Sequence, residues 1–236
     1  MIDHVHVVGC GGIGCWVAQF LCRRHYGESS PVEEQPGMNV VLWDHDRVEE
    51  GNLSRQLFGP DDVGEYKVEA LKKQLSKSDG VNITYIPRRF TELSDDGEHG
   101  IMCCADNHLA RRNSLEAVDE EQTVLFAIIM GNSVDCAEAM LYLPEWRDTP
   151  NDPRCRYPEI GTAEQVVETN SCAAAVEAGA AQTTFANVQA ATTGMWLYQF
   201  VTQYQETVFA AEAVKPWPAR LYSNYLGIHT ERGEVV

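Results

Sequence analysis

The sequence predicts an α/β fold built on a doubly wound, mostly parallel sheet of the Rossmann-like type. Three observations carry this. A valine-rich run, Val5–Val8, leads directly into glycines at positions 9, 11 and 14, spaced G-x-G-x-x-G, and then into apolar residues at helical spacing from Ile13 to Tyr26. A second apolar run, Asn39–Asp44, ends in a carboxylate. Helical and extended patterns then keep alternating, and a βαβ order calls for parallel strands joined by crossovers.

Taken in order, the elements have local reasons. A strand, a glycine turn and a helix together make a phosphate site: backbone N–H groups can approach oxygen anions, and the helix N-terminus adds partial positive charge. Gly27–Gly37 is polar and turn-rich, a surface loop that lengthens the path from the glycine turn to Asp44. A carboxylate there can accept hydrogen bonds from ribose hydroxyls. Gly51–Gln56 is too short and polar for a core element, with Leu53 and Leu57 as its anchors. Gly64–Ser76 is amphipathic, with Val68, Leu71 and Leu75 on one side and Lys67 in the first turn, where anions collect. Asn82–Ile86 is the third strand, and Pro87–Phe90 leaves it.

Gly100–Ala105 reads as a buried fourth strand ended by Asp106 and Asn107, a polar pair at the sheet edge where open α/β folds bind ligands. Asn107 serves equally as an N-cap for a helix over His108–Val118. Thr123–Met130, ended by Gly131, is the fifth strand, and Ala137–Leu143 a sixth, antiparallel at the far side. Pro144–Ser171 is expected to be a long irregular crossover loop. The stretch from Ala173 to Tyr204 reads as helix, with core contacts from Phe185, Val188, Met195, Leu197 and Phe200, and Arg220–His229 as an edge strand or hairpin. The reading is of one domain over residues 1–236.

Bulk properties exclude several classes. A net charge of −17, from 18 basic and 35 acidic residues, repels nucleic acid and anionic membrane. No apolar run reaches membrane-span length, and the N-terminus lacks the features of a signal peptide, so a cytoplasmic protein is expected. The eight cysteines include no C-x-x-C pair, so no structural zinc is expected.

Four phrases together, VGCGGIG, WDHDRVEEGNLSRQLF, VGEYKVEALKKQL and CCADNHLARRN, resemble the E1-like ThiF/MoeB-type adenylating enzymes. The resemblance covers residues 5–130 by motif and Asn170–Phe200 more loosely. The 27–37 loop, RQLFGPDDVG and IPRRF are most similar to the short ThiF-type proteins of plasmid PRTRC clusters and of bacterial ubiquitin-like conjugation operons, some tied to antiphage defence. The resemblance implies adenylation, with ATP and Mg²⁺, of the C-terminal carboxylate of a ubiquitin-like protein. It also implies thioester formation on a cysteine, transfer to an E2-like partner, and a homodimer.

Carried over residue by residue, the resemblance gives Gly9, Gly11, Gly12 and Gly14 the phosphates and Asp44 the ribose. Asn52, Arg55 and Gln56 would bind the polyphosphate from the opposite side, Lys67 would offset charge during transfer, and Asp106 would hold Mg²⁺, with Asn107 as second choice. Cys172, opening the helix after the long loop, is the thioester candidate; Cys155, between Arg154 and Arg156, is the alternative. The chain departs from the family pattern in lacking the zinc pairs and an arginine ahead of the first strand, a role that Arg23, Arg24 or a partner would take. His4 and His108 are given no role. Two other classes stay open: an NAD-dependent oxidoreductase, resting on the glycine turn and Asp44, and a non-catalytic scaffold subunit.

Overall fold

The computed structural model describes residues 2–28, 38–75, 81–93, 96–133, 136–164, 183–203, 218–224 and 227–232. One eight-stranded sheet runs through it in the order β3-β2-β1-β4-β5-β6-β7-β8. The strands are β1 His4–Val8, β2 Asn39–Trp43, β3 Asn82–Ile86, β4 His99–Cys103, β5 Val124–Asn132, β6 Ala137–Tyr142, β7 Pro218–Asn224 and β8 Gly227–Arg232. The first five pair in parallel, with β1 flanked by β2 (Val5 beside Val40) and by β4 (Val5 beside Gly100). The last three pair antiparallel.

The main helices are α1 Gly14–Glu28, α2 Lys67–Leu75 and α3 His108–Glu120; α4 Pro153–Arg156 and α5 Pro158–Gly161 are single turns, and α6 spans Thr184–Gln203. Strands are added on both sides of β1, so crossovers of one hand place α1 and α2, which lead to β2 and β3, on one face of the sheet and α3, which leads to β5, on the other. Accordingly α1 packs with α2 and α6, while α3 packs with α5. The parallel strands are buried on both faces, which explains their continuous apolar runs: all five residues of β4 and most of β5 are buried. None of the described helices is long and apolar enough to cross a membrane.

Several expectations are corrected. Helix α1 continues through Gly27 to Glu28, so the inserted segment starts later than its polarity suggested; residues 29–37 lie outside the described residues. Gly131 sits inside β5, which runs on to Asn132. Strand β6 is not the far edge, because the predicted tail hairpin adds β7 and β8 beyond it. The Pro144–Ser171 segment is ordered as far as it is described. Trp146 and Ile160 are buried, and Arg154 ties the segment down through Asp119 (2.7 Å), Asp152 (2.9 Å) and the Tyr142 hydroxyl (2.6 Å). Charged, proline-rich sequence hides this because its contacts are polar and distant in sequence. On α6, Leu197 is buried as expected, but Phe185 is 68% exposed; small residues, Ala186, Ala190 and Ala191, make the contact with the sheet instead. Gly194 lets α6 come close to β5, since a Cβ there would lie 2.0 Å from the Met130 sulfur.

Beneath Phe90, β1, β2 and β4 enclose a chain of imidazoles. The Trp43 indole N–H donates to His6 Nδ1 at 3.0 Å, which fixes the proton on His6 Nε2, and Nε2 in turn meets His99 Nδ1 at 3.0 Å. His6 and His99 are fully buried, and burial, followed by the neighbouring His99 and His4, pushes the His6 pKa down to about 3. The unfolded chain therefore binds a proton at His6 that the native state refuses. Stability contributed this way is complete above pH 6.5 and is lost as pH falls toward 3. Replacing His6 with Gln should flatten the fall of melting temperature between pH 6.5 and 5, removing up to about 1.4 kcal/mol per pH unit. Melting curves of both proteins across that range check this; equal slopes would contradict it.

Candidate nucleotide site

The site lies at the carboxyl ends of the parallel strands, where the order reverses around β1. Three loops converge there. In the loop from β1 to α1, Gly9 has φ +86° and a Cβ on it would lie 2.9 Å from the Ala105 nitrogen, so glycine alone lets this loop lie against the end of β4. Gly14 must also be bare: a Cβ there would sit 1.8 Å from the Gly9 carbonyl oxygen. Asp44, at the end of β2, clamps the loop. One carboxylate oxygen accepts the Cys10 N–H at 2.7 Å and the other accepts the Asp46 N–H at 2.9 Å. Burial raises its pKa, opposed by the nearby Lys67 ammonium.

The second wall follows β2. A 3₁₀ turn, Glu50–Asn52, leads into Arg55 and Gln56, whose N–H groups both bond to the Asn52 carbonyl. Asn52 is buried and does not line the cleft; its side-chain oxygen accepts the Glu49 N–H at 3.0 Å and so fixes the turn that presents Arg55. Arg55 is 6% exposed and forms no ion pair among the described residues, and its Nη2 has no hydrogen-bond partner. The Gln56 side-chain oxygen is likewise buried without a partner among the described residues. An isolated buried cation costs several kcal/mol unless an anion compensates it. Lys67, the first residue of α2, is buried and bonds to Asp46 at 2.9 Å. That pair is one reason the Asp46 pKa is lowered despite its partial burial.

The third wall follows β4. Asn107 is the N-cap of α3, its side chain accepting the Ala110 N–H at 2.9 Å, while Asp106 is exposed on the cleft wall beside the glycine loop. The cleft, about 230 Å³, brings together Gly9, Gly11, Gly12, Asp44, Arg55, Gln56, Lys67 and Asp106. It adds Arg89, Arg111 and Asn132, to which sequence reading gave no role. Arg89 and Arg111 follow β3 and β4, and a doubly wound order brings those ends to one edge; position after a parallel strand was the available signal. The cleft thus collects four cations, Arg55, Lys67, Arg89 and Arg111, against three carboxylates, Asp44, Asp46 and Asp106, in a chain of net charge −17.

A hard divalent cation fits Asp106. This carboxylate, exposed at an open cleft, leaves room for phosphate oxygens and water in the remaining positions. Asp44, His45 and Asp46 also bring ligand atoms within 4.8 Å of one another, but Asp44 is engaged by two backbone N–H groups and Asp46 by Lys67. Cys172 lies outside the described residues. Cys155 is exposed on α4 and away from the cleft; its pKa is raised by what burial it has and by Asp152, the reverse of an activated thiol.

These features make a candidate anion site at the strand ends of a doubly wound sheet, and the comparisons give the family. The ThiF family model matches residues 3–216, and the chain belongs to the ThiF family, as its resemblance to E1-like adenylating proteins implied. It is 32% identical over 124 residues to ubiquitin-like modifier-activating enzyme 5 of Drosophila virilis, covering 45% of this chain and 28% of that protein. The enzyme of the same name from Oryza sativa subsp. japonica is 31% identical over 134 residues, covering 49% and 29%. Among solved structures, E. coli MccB with ATP superposes with a TM-score of 0.63 at 20% identity, over 98% of this chain and 63% of that one. PaaA superposes with a TM-score of 0.60 at 15% identity, over 99% and 64%. The match thus spans under a third of these curated relatives and under two thirds of these structural ones.

Replacing Arg55 with Met tests the reading of the buried cation. Removing the uncompensated charge should raise the stability of the ligand-free protein by about 1 kcal/mol or more, while weakening ATP by about 10- to 100-fold, the value of a charged hydrogen bond. Thermal melting with and without ATP measures both effects. A destabilised variant with wild-type ATP affinity would contradict the assignment.

Proposed function

We propose that this chain is an E1-like adenylyltransferase that uses ATP to activate the C-terminal carboxylate of a small ubiquitin-like protein. The observation that carries the reading is the buried Arg55 guanidinium, without an ion-pair partner among the described residues, facing the glycine loop across one cleft that Lys67, later in the chain, also lines. Both reactants are anions, so the reaction needs this concentration of cations more than it needs a base or nucleophile from the protein. The names of the relatives support the substrate class, and the MccB structures with ATP and with its MccA partner support a nucleotide-plus-peptide arrangement on this fold.

In this mechanism the loop N–H groups at Gly9–Gly14 and the α1 N-terminus cradle phosphate oxygens. Asp44 keeps the loop in place and offers its remaining lone pairs to the ribose. Arg55 binds the polyphosphate from the other wall with Gln56 beside it, and Lys67, steered by Asp46, offsets charge at the α-phosphate. The substrate carboxylate oxygen attacks the α-phosphorus, the bond to the β-phosphate bridging oxygen breaks, and pyrophosphate leaves with the electron pair. Asp106 would hold Mg²⁺, whose charge would help to offset that of the polyphosphate. No base is required, because the attacking carboxylate is ionised at neutral pH. Attack of the Cys172 thiolate on the acyl carbon, with the acyl–phosphate bond breaking and AMP leaving, would give a thioester; hand-off to an E2-like protein and pairing of two copies as a homodimer complete the proposal.

The test is ATP–pyrophosphate exchange with a ubiquitin-like protein ending in glycine. Exchange is expected with the wild type and a loss of about 10²-fold or more in Asp106→Ala with the fold retained. A thiol-sensitive adduct should form and vanish in Cys172→Ser. Nucleotide binding without any exchange would instead favour a scaffold subunit, and binding of NADH in place of ATP an oxidoreductase.

A further inference from the structure

Among the described residues, two polar residues are buried on helix α6: Thr193, whose hydroxyl donates back to the Gln189 carbonyl of its own helix at 2.7 Å, and Asn187, whose partners lie on other elements. Asn187 is fully buried among Ala186, Ala190 and Ala191, and it does not belong to the cleft lining. A buried amide in such a setting needs partners for both ends, and the partners here are specific. The amide Nδ2 donates to the Arg55 carbonyl at 3.2 Å. The Asn132 amide of β5 donates to Asn187 Oδ1 at 2.9 Å. A carbonyl can only accept, so the Arg55 bond fixes which end of the Asn187 amide points where.

The same amide packs against the phosphate loop. A Cβ on Gly12 would lie 2.6 Å from both Asn187 Oδ1 and Nδ2, so the loop fits only a bare residue beneath this side chain. One turn closer to the helix start, the Thr184 hydroxyl donates to the Ser54 carbonyl at 3.1 Å. The first turns of α6 therefore grip Ser54 and Arg55 by their main chain, and Asn187 also abuts the glycine loop. Among the described residues no carboxylate holds the Arg55 side chain, and its Nε reaches only the Gly51 carbonyl of the same turn at 3.4 Å, so its placement depends on how that turn's backbone is held.

We infer that Asn187 is a positioning residue for the nucleotide site, setting the Arg55 turn and the glycine loop at the spacing that lets both meet one polyphosphate. The inference rests on the cleft taking ATP, and it adds a residue of the carboxyl-terminal half that acts on phosphate binding through Arg55 without touching the nucleotide.

The test is calorimetric titration with a non-hydrolysable ATP analogue and Mg²⁺. The proteins are wild type, Asn187→Ala, Arg55→Met and the double variant, each first melted without ligand. Asn187→Ala should bind about tenfold more weakly, the effect of one lost hydrogen bond on the group that meets the phosphate. The double variant should bind no more than about twofold worse than Arg55→Met alone, because linked residues are non-additive. A residue that only stabilises α6 would lower the melting temperature and leave the dissociation constant at the wild-type value; that result, or full additivity in the double variant, overturns the inference. If Asn187→Ala does not fold, Asn187→Ser keeps a donor in less volume and should show a smaller loss, with wild-type affinity again overturning it. Failure of the wild type to bind the analogue would overturn the nucleotide reading itself, an outcome distinct from the others.

Discussion

A guanidinium buried without a counter-ion is the constraint on which the rest of this site depends. Arg55 is almost fully covered by protein, yet no described carboxylate pairs with it. Burial of that kind is tolerable only if the surrounding structure holds the residue firmly and an anion completes it. The first condition is met by main-chain bonds: Asn52 capping Glu49, the turn folding back onto the Asn52 carbonyl, and α6 gripping Ser54 and Arg55. The second is met by geometry, since the residue shares one cleft with the glycine loop. Under the proposed function, Arg55 is an electrostatic site prepared in advance for polyphosphate, at a local cost in stability.

The two parts of the fold contribute differently. The parallel half, β1–β5 with α1–α3, supplies the groups that line the cleft at the strand ends, which the proposed function assigns to the nucleotide. The antiparallel half and α6 supply what holds them: α6 packs on β5, β6 and β7 and reaches forward to Ser54, Arg55 and Gly12. Overall negative charge does not prevent anion binding, because four cations converge on a region only a few residues across. Long-range repulsion from the surface is screened over about 10 Å of salt solution, while the cleft's own charges act at contact distance. The same acidity argues against nucleic acid as a competitor for the site.

The parts of the fold legible in the sequence were those written in local pattern. The glycine spacing, the carboxylate at the end of β2, the amphipathic face of α2 and the Asp106–Asn107 pair each placed a residue where the structure has it. Asn107 then proved to be a helix cap, a role that its type and position allowed from the start. What could not be read depended on contacts between distant segments. Asn52 carries the same side chain whether it meets phosphate or a neighbouring N–H, and only the fold shows that it caps Glu49. Arg89, Arg111 and Asn187 look like ordinary surface or helix residues until the strand order brings their segments together. The order of Pro144–Glu164 comes from Arg154 bridging Asp119, Tyr142 and Asp152, a network with no periodicity to detect. Phe185 misled for the opposite reason: an apolar side chain at helical spacing does not reveal that alanines form the packed face.

The central claim is that Arg55 waits for a nucleotide phosphate. The most direct measurement is a crystal structure of the protein with a non-hydrolysable ATP analogue and Mg²⁺. The account predicts the triphosphate in the cleft, held by the glycine loop, with the now unpartnered Arg55 Nη2 bonded to a phosphate oxygen and Lys67 engaged on the same phosphates. An analogue bound elsewhere, or bound in the cleft with Arg55 Nη2 still without an anionic partner, would contradict it.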